Sequence, residues 1–593
     1  MLIIKIVSNN IIVTIITFAP MYIQRNKSTG KNGKVYTSTL LCSKYREEGK
    51  IKTRVEANLS SMSQEMVLGI ENMLKHEKGT LVANKDITIK KAIDFGFVFL
   101  LMHLMDKLHI SKTFEKTMPD QAAILKGMII GKIITRGSKL GIYNWLQRSQ
   151  DISLKLGLDI KNTKLEDFYS ALGTTAFKQP QIERKWFIYN KNKHKEVYLY
   201  DITSTYFEGT QNELAAFGYN RDKKKGKMQI NIALLTDSEG FPLKIEVFEG
   251  NIQDHQTVLA QINSIKKEFN ATEVIFVGDR GMRIRYNLKA MDEADKEGIQ
   301  YITGLTHPEI RELLKNDVIQ LNLFSKDIAE VENEGERYIL SVNPTLQEKE
   351  LNYLKTVRAI VDDEICDVKA SWEKRRQQND ENAEKLKKGH KNKNLVTKFF
   401  EKNIDRYKLR VEGILSKRHM SKYYEIVQIN DNEFTVDFKA EKYLQAKQLA
   451  GKYVICTSID KEQMDKHEVR KQYKNLQNVE HAFRDFKSDY IQIRPVFVRS
   501  QAQTRGHVLL SMFSYAIIKE IENKVFPFLK SWNKKTKSKL AFADIIEELK
   551  GIKLVELNLG RNVDTLKITE LNELQKEILK LFDMNKKHLE KNL

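Results

Sequence analysis

Cysteine is scarce: Cys42, Cys366 and Cys456 are the only three in 593 residues, and they lie far apart. An odd number with no paired spacing excludes a disulfide framework or a zinc knuckle and fits a reducing cytosol. Long apolar runs are missing as well. The first twenty residues are apolar, but Ser8, Asn9 and Asn10 interrupt them and leave Ile11–Pro20, well short of the ~20 residues that span a bilayer. A lysine ahead of a short apolar core also has the outline of a secretory signal. The cation-rich body argues against export, so residues 1–20 are expected to be upstream sequence, with Met21 as the natural start. Acidic side chains are outnumbered, 78 against 99 lysines and arginines, for a net charge of +21. Such a surplus favours a polyanionic partner, either nucleic acid or an anionic membrane surface. With 41% apolar residues, the chain can bury several cores, about three or four domains by its length.

What the chain has instead is a seven-residue spacing near its C-terminal end. Tyr473, Glu480 and Lys487 fall on one face of a helix, about two turns apart. Arg484, four beyond Glu480, leans onto the same face. One carboxylate among phosphate-seeking cations suits an enzyme that holds a metal against a nucleic-acid backbone. An ordinary ion pair on a solvated helix gives the same pattern, so the rest of the chain decides.

From Met21, GKVYTSTLLCSKYREEGKIKTRVEANL holds two β-rich runs about a Glu-Glu-Gly turn, a hairpin signal assigned with its linker to 21–85. Residues 86–190 carry helical apolar spacing, as in KKAIDFGFVFLLMHLMDKL, and are assigned as a helical DNA-binding domain. Residues 191–305 turn to strands. VYLYDITST, MQINIALLT and LKIEVFEG precede a helix, HQTVLAQINSIKKEF, and the strands EVIFVGDRG and IQYITGL follow. The order β-β-β-α-β-α-β describes a mixed α/β sheet covered on both faces, as in the ribonuclease-H-like fold.

Two aspartates sit where that fold presents metal ligands. Asp201 falls inside the first strand, where a buried acid needs a partner. Asp279 ends the apolar strand VIFVG. With Glu480 they make three carboxylates on a first strand, a fourth strand and a later helix. Carboxylates so placed can hold two divalent metals for phosphoryl transfer, and hard oxygen ligands select Mg2+, with Mn2+ as substitute.

The segments YLYDITSTYFEG, GYNRDKKKGKMQINIALLTDSEGFPLKIEVFEGN, VIFVGDRGM and YKNLQNVEHAFRDFKSDYIQIRPVFV resemble the DDE transposases of bacterial insertion sequences. Within these the likeness is to the IS-four superfamily and its IS-sixteen-thirty-four-like branch. The resemblance implies that Asp201, Asp279 and Glu480 form the catalytic, metal-binding triad. It implies that Tyr473, Arg484 and Lys487 hold DNA phosphates; the signature arginine is replaced by Leu476, with Arg484 as its expected stand-in. It implies a ribonuclease-H-like core, in two parts (191–305 and 461–525), interrupted by a largely β insertion domain at 306–460. Within that insertion the polar, lysine-rich stretch from 350 to 410 reads as a helical arm, and residues 526–593 read as a helical C-terminal region. Double-stranded DNA, as terminal inverted repeats and as target, is the implied partner, with a homodimer in the synaptic complex and no membrane. A ribonuclease-H-like nuclease without strand transfer, or an inactive DNA-binding remnant, are the alternative readings.

Overall fold

The computed structural model describes residues 2–8, 11–17, 21–29, 33–47, 49–75, 87–190, 197–207, 209, 211–219, 221, 224, 226–253, 256–258, 261–262, 265, 274–282, 287–288, 298–388, 400–430, 433–487, 491–494, 496–558 and 564–591. The chain divides into two compact units, one of Met1–Phe97 with Ala543–Leu593 and one of Val98–Phe542.

In the first unit, strands Met21–Thr29, Val35–Glu47 and Lys50–Asn58 form an antiparallel sheet. A second sheet places Lys553–Asn558 between Thr88–Asp94 and Asp564–Ile568. Here the structure departs from the sequence reading twice. KKAID, taken as the start of a helix, lies in a strand, and the C-terminal region read as helical supplies two strands. The strand partners lie more than four hundred residues apart in the chain, and no local pattern announces such a distant pairing.

The second unit is built on one mixed sheet. Its strands are β1 (Val197–Tyr206), β2 (Gln229–Asp237), β3 (Pro242–Glu249), β4 (Val274–Gly278), β5 (Ile299–Gly304), β6 (Ile328–Asn333), β7 (Glu336–Val342) and β8 (Lys452–Thr457). Their order across the sheet is β6-β7-β8-β5-β4-β1-β2-β3. β4 runs parallel to both β1 and β5, and the other pairs are antiparallel. Every residue of β2 is buried, as is all of β1 except the half-buried Asp201 and Tyr206. Unbroken apolar runs of this kind belong to strands covered on both faces. One cover is the helix pair α1 (Leu165–Asn190) and α7 (Gln501–Thr536), the latter lying on β3. They approach so closely that a side chain at Gly506 would put its Cβ 2.1 Å from the Leu172 carbonyl oxygen. The helix expected at 255–269 lies largely outside the described residues.

The insertion holds strands and a helical arm, as its sequence indicates, but three of its strands do not form a sheet of their own. β6, β7 and β8 come from 306–460 but join the central sheet, and most of what remains is helical. Apart from the short helix α2 (His307–Lys315), it consists mainly of α3 (Pro344–Lys387) and α4 (Phe400–Lys417). These two pack around Val361, Val368, Trp372, Val411 and Leu415, with the hairpin Tyr424–Asn430 and Glu433–Phe438 against them. The physical reason is local composition: Glu, Lys, Gln and Ala dominate α3 and favour helix, while the apolar Val454, Ile455 and Cys456 of β8 are fully buried in the larger sheet. Among the described residues, no helix is long and apolar enough to cross a membrane.

Helices α5 (Lys466–Lys474) and α6 (Leu476–Lys487) follow β8. Where α6 meets α7, the Phe486 and Tyr515 rings lie 5.3 Å apart. Burial there pushes the Asp485 carboxyl up to about 6 and that of Glu522 up to about 7, the latter helped by the Asp485 charge and opposed by Lys519. A carboxyl raised in the folded state binds protons more tightly than in the unfolded chain. The stability it contributes is therefore present below about pH 4.5 and is lost as pH rises through about 7. Glu522→Gln should raise the melting temperature at pH 8 and change it little at pH 4. Equal shifts at both pH values would exclude the charge as the cause.

Candidate active site

Asp201 interrupts a strand whose other residues serve the core. Tyr200 and Ile202 face inward, with the Tyr200 ring 5.4 Å from that of Phe276 and its hydroxyl 2.9 Å from Thr257 Oγ1. Strand alternation puts Asp201 and Thr203 together on the opposite face. Beside β1, the parallel strand β4 sets Gly278 opposite Tyr200, so the next residue, Asp279, comes level with Asp201. There the strand ends in the short turn Arg280–Met282. α6 lies across β1, burying Val479, Ala482, Phe483 and Phe486 and leaving Glu480 and Arg484 exposed.

The three carboxylates line one cavity of about 420 Å³, together with Thr203, Arg221, Arg484 and Lys487. Lys487 Nζ donates to Thr203 Oγ1 at 2.8 Å, anchoring the end of α6 to β1. The same carboxylates also line a second cavity, of about 430 Å³, with Arg280, His307, Lys452, Tyr473, Lys474 and Leu476 among its walls. The heptad-spaced set is thus divided. A break at Asn475 separates α5 from α6; Tyr473 and Leu476 face the second cavity, Arg484 and Lys487 the first, and Glu480 both. Arg484, the expected stand-in for the cation missing at Leu476, and Leu476 itself thus line different cavities around the same acids.

Charge is crowded here. Burial pushes the Asp201 carboxyl up to about 7, and the charges of Asp279 and Glu480 add to this; the Ile202 N–H, donating to Oδ1 at 2.7 Å, and Arg221 act against it. Tyr473 Oη donates to Asp279 Oδ1 at 3.3 Å, and Arg280 Nε lies 3.9 Å from the same oxygen. Burial, then the Asp279 charge, holds the Tyr473 phenol well above its usual range. Among the described residues, no three His, Cys, Asp or Glu stand close enough to hold a metal ion as they are placed. The donor chemistry nonetheless fits a hard divalent cation: three carboxylates, oxygen donors only, with enough mutual repulsion that a cation among them would be stabilised.

Arg221 escaped the sequence reading. It is one cation among several in GYNRDKKKGK, and what marks it out is a tertiary contact: its backbone N–H donates to Ser204 Oγ of β1 at 2.9 Å. No signal in the sequence separates it from its neighbours.

Three comparisons bear on this arrangement. The Transposase DDE domain family matches residues 192–517, a span that holds β1, β4 and α6, and the IS1634 family transposase N-terminal domain matches residues 23–83. No curated protein matches the chain. Among solved structures it is similar to the piggyBac transposase synaptic complex with hairpin DNA, at 9% identity and a TM-score of 0.31, over 84% of this chain and 74% of that one. With more than half of its length matched by the transposase DDE domain, the chain belongs to the DDE transposases, enzymes that cleave and join DNA, and to their IS1634 branch.

Proposed function

We propose that this transposase binds the terminal inverted repeats of its own element, cuts there and joins the freed 3′-hydroxyl to target DNA, using Asp201, Asp279 and Glu480 as its triad. The observation that carries this reading is the convergence of three carboxylates, from β1, from the end of β4 and from α6, on one cavity with Arg221, Arg484 and Lys487. A ribonuclease-H-like core is supported by β1 lying between an antiparallel β2 and a parallel β4, with the first two acids at adjacent strand positions. The triad would hold two divalent ions, magnesium or manganese, whose chemistry when bound is to activate the attacking oxygen and stabilise the leaving one. The chain's own cations do the positioning. Arg484 and Arg221 sit where they can grip phosphate oxygens, and Lys487 is held in place by Thr203; positioning supplies much of the catalysis in phosphoryl transfer. The helical stretch within 86–190 would contribute to DNA recognition, and two copies would synapse two ends.

The test is DNA carrying the inverted repeats that flank the gene, incubated with the full chain and magnesium beside a plasmid target. Cuts at the repeat ends and joined products in the plasmid are expected. Cutting without joining would favour a plain nuclease, and indifference to the repeat sequence would remove the end-recognition part of the reading.

A further inference from the structure

Three basic side chains that line neither cavity are buried together. They are Lys132 on the helix Ala122–Thr135, Lys139 on the first turn of the helix Lys139–Arg148, and His507 of α7. Core packing alone does not call for them, because taking an ammonium out of water costs far more than burying an apolar chain of the same size. At Lys139 a positive charge also opposes the helix dipole.

What the three reach is one stretch of backbone. Lys132 Nζ donates to the Gln492 carbonyl at 2.7 Å, and His507 Nε2 lies 3.0 Å from the carbonyl oxygen of the next residue, Ile493. A carbonyl only accepts, so Nε2 carries the hydrogen and Nδ1 is left to accept. Lys139 Nζ stands 2.5 Å from it. Burial, then the charges of Lys139 and Lys132, hold His507 well below its ordinary range, which keeps the ring in the neutral form that this arrangement requires.

The stretch they grip closes the far end of α6. The Ile493 N–H donates to the Phe486 carbonyl at 2.7 Å, next to the Lys487 that is tied to Thr203 of β1. The Arg494 guanidinium lies 4.6 Å from the centre of the Tyr206 ring, at the end of the same strand. Gln492 takes a left-handed backbone, φ 47°, which side chains other than glycine rarely adopt. Such a turn needs support from its surroundings, and the bond from Lys132 supplies it.

We propose, resting on the transposase reading, that Lys132, Lys139 and His507 are positioning residues, holding segment 491–494 so that α6 keeps Glu480 and Lys487 at the cavity of the three acids. They act on DNA only through that helix.

His507→Leu, His507→Gln and Lys132→Met in the full chain test this by hydrogen exchange at the Ile493 amide, by end binding and by the cutting rate of ends already bound. His507→Leu and Lys132→Met should strip protection from that amide and slow cutting about tenfold to a hundredfold, while end binding stays as in the wild type. Because the rate is read on complexes already formed, a smaller yield of folded protein does not mimic it. His507→Gln should restore both protection and rate, since its amide can donate to Ile493 while its carbonyl accepts from Lys139. The assignment is overturned if His507→Leu and Lys132→Met cut bound ends at the wild-type rate, if end binding falls as much as cutting, or if His507→Gln is as slow as His507→Leu. Should His507→Leu not fold, Lys132→Met decides alone. A wild type that never cuts would count against the transposase reading, and exchange at Ile493 would still show whether the three side chains hold the segment: unchanged protection in the variants would refute the inference.

Discussion

Replacing Asp279 by asparagine should lower DNA cutting and joining by on the order of a thousandfold or more, while binding of transposon ends persists. The expectation follows from where this side chain sits. It lies past the end of β4 with its carboxylate more than half exposed, and it takes no part in the core. Asparagine keeps the shape and keeps an oxygen that can accept the Tyr473 hydroxyl, so the fold should tolerate the change. What disappears is one of three negative charges around a shared cavity. Asp279 helps to hold the Asp201 carboxyl up near 7, so the variant's Asp201 should ionise more readily even as activity is lost. Two measurements separate the effects. Magnesium should raise the melting temperature of the wild type at pH 8 more than that of the variant, and strand cutting should vanish in magnesium and in manganese alike. A variant that cuts at the wild-type rate would remove Asp279 from the triad.

The legible part of this site was the part fixed by strand pattern. Asp201 is the one acid in a run of otherwise buried residues, and Asp279 follows five apolar ones, so both could be placed on a sheet before any contact was known. Glu480 was legible from helical spacing. The division of the helix residues between two cavities was not, because it depends on a break at Asn475 and on which wall each side chain reaches. Strand runs in the insertion were recognisable as strands, but whether Lys452–Thr457 pairs locally or with Ile299–Gly304 is decided by tertiary packing. The pairing of Thr88–Asp94 with Lys553–Asn558 lies furthest beyond reach, since alternation in a short polar strand names no partner.

Gly304→Ala should damage the site from behind. Gly304 ends β5, and a Cβ built there would lie 2.2 Å from Tyr473 Oη and 2.9 Å from its Cζ. The glycine cannot easily retreat, because β5 is an inner strand and Gly304 is paired with Ile455 of β8. Tyr473 must give way, and with it the hydrogen bond it donates to Asp279. Overpacking of this sort costs about 1–3 kcal/mol. Loss of a properly oriented Asp279 should add a fall in kcat of roughly tenfold to a hundredfold, since small displacements of a catalytic group cost about that much. The informative variant is the double one, Gly304→Ala with Tyr473→Phe. Removing the hydroxyl relieves the closest contact, so the double variant should be more stable than the sum of the two single losses predicts. Its activity should fall to the level of Tyr473→Phe alone, because both routes end in an Asp279 without its tyrosine partner. Strictly additive effects on stability and rate would mean that Gly304 does not hold the ring in place.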